Sequence, residues 1–347
     1  MTRRENMLRA IRFQGPEYIP MDFGFNPSCW DSYDQDALFD LMETHPLLFP
    51  NYKRPEGRYI PFYRNLARKD EPYTDDFGCL WHALINGITG AVVNHPLDSW
   101  DKFSSYTFPD PSNCTGRGPI DWEKTKTDIK AAKEEGKITI GGLMHGHTFL
   151  NMCNIRGYDN LIFDFADEEP MVLKLIEGVE NFNAEIVRRY AEMEVDIMQY
   201  PEDLGMQYGP MLSPEQFRKY IKPSYKRLVD IARSKGILIH MHSDGDVRLL
   251  IDDLMDCGME VLNIQDLVNG IDWIRDNLKG KVCIDLDIDR QKIIPNGTPR
   301  EIDDLIREEV TKLASKEGGF IMRHDCLPGI PLENIKALMD AMEHYSV

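Results

Sequence analysis

The stretch Gly236-Ile237-Leu238-Ile239-His240-Met241-His242-Ser243-Asp244-Gly245-Asp246 carries an apolar run into three ionisable side chains. In a β-strand, residues two apart share a face, so His240, His242 and Asp244 project together, and the Ser-Asp-Gly-Asp that follows is turn chemistry. Imidazoles and a carboxylate gathered in this way suit a metal ion or proton transfer. A catalytic zinc takes three protein ligands and leaves one position open; His242 and Cys326 would come from two strands and Glu202 from a third. The competing reading is a hydrogen-bonded polar wall without a metal. His240 lies one pleat deeper than His242 and reads as its support. Asp244 is a ligand, a base or a turn residue, and His324 is a proton donor or a partner of Asp325. Glu202 and Asp203 read as an acid/base pair, or Asp203 as a backbone cap. His145 and His147 are candidate substrate contacts in a strand end loosened by Gly141, Gly142 and Gly146.

These residues must be brought together by the elements that carry them. From Ile120 onward, strands and amphipathic helices alternate, the signature of a parallel sheet. The strands read as Lys137–His147, Val195–Tyr200, Gly236–Met241, Glu260–Gln265, Lys281–Asp287 and Gly318–Cys326, with an earlier one at Tyr18–Phe25. No Gly-x-Gly-x-x-Gly follows any strand, which argues against a dinucleotide fold. The polar residues fall at strand C-termini, which in a (β/α)8 TIM barrel converge on one catalytic face. The expected fold is therefore α/β, a single TIM-barrel domain over 1–347, with an N-terminal segment over 1–118 and regular βα units over 119–347. The irregular, aromatic and Pro-rich stretch from about Asn26 to Asp110 is expected to cover the C-terminal face. Ser213-Pro214-Glu215 reads as a capped helix start, with a break near Pro223.

Composition narrows the function. A formal charge of -18 argues against nucleic acid and against anionic membrane surfaces. No long apolar segment and no signal-peptide pattern is present, so a cytoplasmic protein is expected. The 7 cysteines are odd in number and scattered, with no Cys-x-x-Cys, so no disulfide framework is expected.

Several segments carry a resemblance along nearly the whole chain. They are Thr2–Ile11, Thr74-Asp75-Asp76-Phe77-Gly78-Cys79-Leu80-Trp81, the Phe-Pro-Asp-Pro of Ser105–Pro111, Pro201–Gly205, Ser213–Glu215, His242–Asp246, Gly318–Phe320 and Pro331–Ile335. In order and spacing the chain resembles the uroporphyrinogen decarboxylase superfamily, in particular its corrinoid-dependent methyltransferase branch. The decarboxylases' arginine-bearing Pro-x-Trp-x-Met-Arg-Gln-Ala-Gly-Arg segment is replaced here by Tyr18-Ile19-Pro20-Met21-Asp22-Phe23-Gly24, which argues against a tetrapyrrole substrate. In the methyltransferases a His-x-Cys and a late Cys bind zinc. The resemblance places His242 and Cys326 in two of those positions and Asp244 where the middle Cys would stand. It implies a Zn2+ enzyme of the O-demethylase type, found in anaerobic metabolism, with Glu202, His242 and Cys326 as ligands. Such an enzyme moves a methyl group from a methoxylated aromatic to a corrinoid (cobalamin) on a separate corrinoid protein, with His324 or Asp244 as the acid. Phe23, Trp81, Met144, His147, Tyr208 and His240 are the expected substrate contacts, in an apolar pocket without a basic clamp. The alternatives are a thiol- or amine-directed methyltransferase, a decarboxylase of this fold, or a barrel that binds without turnover. A homodimer is one assembly open to it.

Overall fold

A computed structural model describes residues 1–347. Seven strands form one parallel sheet: β1 (Met21–Phe25), β2 (Ile140–Gly142), β3 (Ile197–Pro201), β4 (Leu238–Ser243), β5 (Val261–Gln265), β6 (Cys283–Asp287) and β7 (Phe320–Cys326). Their spatial order is β1-β7-β6-β5-β4-β3-β2, so the sheet curls as a TIM barrel does, with β1 and β2 at its two unpaired edges. The chain between those edges, where a further strand would close the barrel, is the irregular stretch anticipated from its composition. It contains a small antiparallel sheet of Tyr73–Thr74, Leu80–His82 and Ala91–Asn94.

Register fixes which side chains enter the lumen. Gln199 pairs with His240, Pro201 with His242, and His242 with Asn263; Asn263 pairs with Asp285, Asp287 with Arg323, and Arg323 with Asp22. Two residues deeper on the same faces lie Ile197, Leu238, Val261, Cys283 and Ile321, which join Leu8 and Ile11 of helix Arg3–Ile11 in an apolar floor. The alternate residues face the helices and build the main core of 73 buried residues. That floor removes apolar surface from water at the N-terminal end and leaves the polar rows at the other.

Local signals act as their residue types require. Ser213 and Gln216 form a reciprocal capping box with Pro214 in the first turn. The helix then widens over Phe217–Ile221 before Lys222–Arg233, so the break falls just ahead of Pro223, which has no N–H to continue the ladder. Thr298 and Glu301 form a second capping box. All seven cysteines are free and buried. No helix is long and apolar enough to cross a membrane.

Candidate metal centre and its cavity

β4 ends at Ser243 and the chain turns at Gly245, whose φ is +81°. Only glycine fits there: an added Cβ would lie 2.3 Å from the carbonyl carbon of Gly205, because the loops after β3 and β4 touch backbone to backbone. This contact brings the two strand ends into register. The Glu202 amide donates to the His242 carbonyl at 2.9 Å, and the Asp244 amide donates to Asp203 Oδ1 at 3.0 Å.

Above that junction His145, Asp203 and His242 converge, with one ligand atom from each within 4.8 Å of the others. Asp203 Oδ1 is 3.3 Å from His145 Nε2 and 3.5 Å from His242 Nε2. His242 donates its Nδ1–H to Asn263 Oδ1 at 2.6 Å, which turns Nε2 toward Asp203 and toward Asp244, 3.7 Å away. Burial opposes a charge on His242, but the hydrogen bond to Asp203 and the nearby Asp244 carboxylate outweigh it and push the imidazole up to about 9. Burial likewise opposes ionisation of Asp203, yet the two histidines hold it well below the usual carboxylate range. A position that binds a proton this tightly is one where carboxylates call for a cation. Two imidazole nitrogens and a carboxylate oxygen, one imidazole fixed by an outer hydrogen bond, form a donor set that fits zinc.

The cluster opens into a cavity of about 420 Å³ with no hydrophobic lining residue. Arg64, Arg290 and Arg323 lie on its wall with His240, Asp287 and Asp325. Arg290 bridges Asp244 at 2.7 Å and Asp287 at 2.6 Å; Arg323 bridges Asp22 at 2.6 Å and Asp285 at 2.9 Å. Burial is the main cause that pushes Asp287 up to about 7, against the pull of Arg290. The expectation of an apolar pocket without a basic clamp is therefore overturned.

Several expected site residues lie elsewhere, for one geometric reason. On β7, Arg323 and Asp325 face the lumen, whereas His324 and Cys326 face the helices. Cys326 is fully buried beside Cys29, where that contact and burial push its thiol far above the usual range, and its Sγ is not part of the cluster that His242 forms with His145 and Asp203. His324 packs 5.5 Å from Phe23, donates Nδ1–H to the Ile288 carbonyl, and is pushed down to about 4 by burial. At neutral pH it has no ionisable proton to give. Glu202 is also outward-facing. Its Oε1 accepts from the amides of Thr148 (2.8 Å) and Leu150 (2.9 Å), at the start of helix Phe149–Arg156, and its Oε2 accepts from the Tyr225 hydroxyl. Both oxygens are used, and its neighbour Asp203 takes the place expected for it.

Among the expected substrate contacts, His240 lines the cavity and bonds Asp285 through Nε2 at 2.8 Å. His147 is buried against Tyr200 and Tyr225, and burial pushes it down to about 3. Phe23 packs on Phe25 and Phe49, away from the lumen. Trp81 is buried, with its indole N–H on Asp75 at 2.8 Å and the Arg117 guanidinium 4.2 Å above its ring. Met144 packs against the core near Gly116, and Tyr208 is 95% exposed beyond the hairpin Gly205–Met206 and Gly209–Pro210. Asp244 stands beside the cluster, its carboxylate on Arg290. Asp203 and His145, expected as an acid/base partner and a substrate contact, stand instead as ligand candidates, and the residues left out of the expected set, Arg290, Arg323 and Arg64, come from the lumen parity and from loops. The alternation Ile321-Arg323-Asp325 was the available signal for β7. No periodicity marks Arg64.

Comparison with known proteins agrees with this architecture. Over 182 residues the chain is 26% identical to uroporphyrinogen decarboxylase of Thermus thermophilus, covering 51% of this chain and 49% of that protein. Over 143 residues it is 29% identical to methylcobamide:CoM methyltransferase MtaA of Methanosarcina barkeri, covering 39% and 38%. The matched regions thus span about half or less of these curated relatives. A methyltransferase structure from Methanosarcina mazei superposes with a TM-score of 0.64 over 99% of both chains at 16% identity, which is a likeness of fold. The uroporphyrinogen decarboxylase (URO-D) family pattern matches residues 83–345, and the chain belongs to that family.

Proposed function

We propose that this protein is a zinc-dependent methyltransferase that moves a methyl group from an aryl methyl ether to the cob(I)alamin of a separate corrinoid protein. The observation that carries the reading is the convergence of His145, Asp203 and His242 at the C-terminal face, in place of the expected Glu202, His242 and Cys326. These three residues would hold the ion. When bound, zinc supplies Lewis acidity toward an oxygen leaving group. A ligand set without thiolate is harder than a cysteine set and suits oxygen better than sulfur. Asn263 keeps His242 in the tautomer that leaves Nε2 free for a ligand role. Asp287, pushed up to about 7 by burial and joined to Asp244 through Arg290, is the carboxyl group on the cavity wall that can return a proton to the demethylated oxygen. The polar lining selects substrates with polar substituents on the ring.

A thiol-directed methyltransferase is the second reading, supported by the similarity to the Methanosarcina barkeri protein. The test is to measure zinc content and to follow methylcobalamin formation when cob(I)alamin and a panel of methoxylated arenes are supplied. Zinc near one per chain, turnover with an aryl ether, and loss of both in His242→Ala are expected. A protein that binds no zinc, or one that methylates thiols and demethylates no ether, overturns the proposal.

A further inference from the structure

A second cavity lies inside the barrel, on the far side of the polar layer from the candidate metal centre. It encloses about 490 Å³, and 10 of its 21 lining residues are hydrophobic. Ile197, Val261 and Ile321 of the apolar floor wall it, with Ile11 of the N-terminal helix. Its other end is polar. Gln199, His240 and Arg323 line both this cavity and the one at the metal centre, so the two chambers share a partition of polar side chains. Barrel interiors of this kind are ordinarily filled by layers of branched side chains. Here the filling fails at the seam, because β1 and β2 do not pair and Met21 and Asp22 on one side face the cavity with Ile138 and Ile140 on the other. Ile140 pairs with Ile197 and so points into the lumen, yet it is 45% exposed; the chamber opens to solvent there. Gly142, level with Gln199, contributes no side chain to close it.

The polar end has hydrogen-bonding capacity that the protein does not use. The Gln199 carboxamide makes no hydrogen bond to any other protein group. Asp285 spends Oδ2 on both His240 and Arg323, while its Oδ1 has no partner, and neither does His240 Nδ1. Both side chains are buried, where an unmet polar group is costly. Arg323 is already shared between Asp22 and Asp285, so the partition offers acceptors and spare negative charge rather than a seat for an anion. Branched aliphatic walls that end in unused acceptors suit a compact hydrocarbon body with one hydroxyl group. The volume lies within the range of small-molecule sites.

We propose that this chamber is a second binding site, which takes a small neutral hydrocarbon carrying one hydroxyl group through the seam between β1 and β2. The apolar body packs against Ile140, Ile197, Val261 and Ile321, and the hydroxyl donates to an acceptor of the partition at Gln199. The site is separate from the metal centre and does not depend on the protein transferring methyl groups. A hydroxyl selects for this end because it supplies the donor that the partition lacks, whereas a carboxylate would meet Asp22 and Asp285.

The test titrates the full chain with 4-ethylphenol, ethylbenzene and 4-ethylbenzoate by calorimetry. The phenol is expected to bind about 5-fold more tightly than the hydrocarbon, and the carboxylate more weakly than the phenol. Ile140→Trp fills the mouth of the chamber from a half-exposed position and should weaken the phenol at least about 10-fold. Ile138→Trp repeats that block from the segment before β2 and should act alike. Gln199→Leu leaves no protein group unpaired and should bring the phenol down to the affinity of ethylbenzene. No binding of the phenol at millimolar concentration overturns the site, and so does binding that survives both tryptophan variants, which would place the phenol elsewhere. Tighter binding of 4-ethylbenzoate than of 4-ethylphenol, or a preference for the phenol that persists in Gln199→Leu, overturns the ligand class.

Discussion

Glu202 and Asp203 are adjacent in sequence and face opposite sides of the barrel wall, so exchanging each for its amide separates two ligand sets. Glu202 accepts from Thr148 N–H, Leu150 N–H and the Tyr225 hydroxyl, all buried. In Glu202→Gln the amide carbonyl can keep both backbone donors, but the NH2 meets a phenol that must now accept. One charge-assisted hydrogen bond is lost, about 1.5–3 kcal/mol, and the loss is partly offset because the wild-type carboxylate is itself penalised by burial; the net cost is about 1–2 kcal/mol. With an unfolding entropy of about 2.1 cal/mol/K per residue over 347 residues, that lowers Tm by about 1.5–3 °C. Zinc content should not change. Asp203→Asn removes the carboxylate from between His145 and His242 and should lower zinc affinity about 100-fold or more. The assay is elemental analysis after dialysis across a buffered zinc series, with Tm from calorimetry on the metal-free proteins. Loss of zinc in Glu202→Gln together with full occupancy in Asp203→Asn would refute the placement of the metal and restore the Glu202, His242 and Cys326 set.

Other consequences are open to direct measurement. Asn263→Leu frees the His242 ring and should weaken zinc by about 10–100-fold, read by competition with a chromogenic chelator. Gly245→Ala forces a side chain into a left-handed conformation, about 1–2 kcal/mol, and against the Gly205 backbone; a Tm unchanged by this substitution would contradict the loop contact. Glu309 is fully buried with no donor group on either oxygen and shares a carboxyl–carboxyl contact with the buried Asp266; burial followed by the Asp266 charge pushes it well above the usual range, and Asp266 is pushed up to about 6. Both folded-state values are raised, so the stability they contribute is complete below the ordinary carboxyl range and is lost as pH rises through about 6 for Asp266. Tm should fall between about pH 4 and pH 7, and Glu309→Gln should flatten that slope; a slope of opposite sign, or one untouched by the substitution, counts against it.

The strands and helices were legible because periodicity and turn residues are local signals. His240-Met241-His242 alternates across a strand wall, Asp244-Gly245 ends it, and Ser213-Pro214 caps a helix, each within a few residues of sequence. The apolar floor also follows from the pattern, since Leu238 lies two residues below His240 on the same face. What could not be read locally was the phase of each strand end relative to its neighbours. A shift of one residue exchanges lumen for helix layer, and at β7 it exchanges Arg323 and Asp325 for His324 and Cys326. Residue type favoured the histidine and the cysteine as metal ligands; position put the arginine and the aspartate on the cavity wall. Arg64 was hidden for a different reason, because it reaches the cavity from an irregular segment whose path depends on tertiary contacts.

The lumen also explains why His242 can be held in one orientation at all. Its Nδ1–H is fixed by Asn263, whose side-chain N–H donates to the Asp285 carbonyl at 2.7 Å. The Asp285 carboxylate is in turn held by His240 and Arg323, and Arg323 reaches across to Asp22 on the edge strand β1. The orientation of one candidate ligand therefore passes through a buried polar layer from β4 to β1, directly above the apolar floor. Burial favours that layer only while its charges stay paired: Asp285 is kept below the usual carboxylate range by Arg323 and His240, against desolvation that would otherwise protonate it. Loss of Arg323 would leave a carboxylate stranded beneath the cluster, and the disturbance would pass through Asn263 to His242 without any atom of the metal centre having been changed.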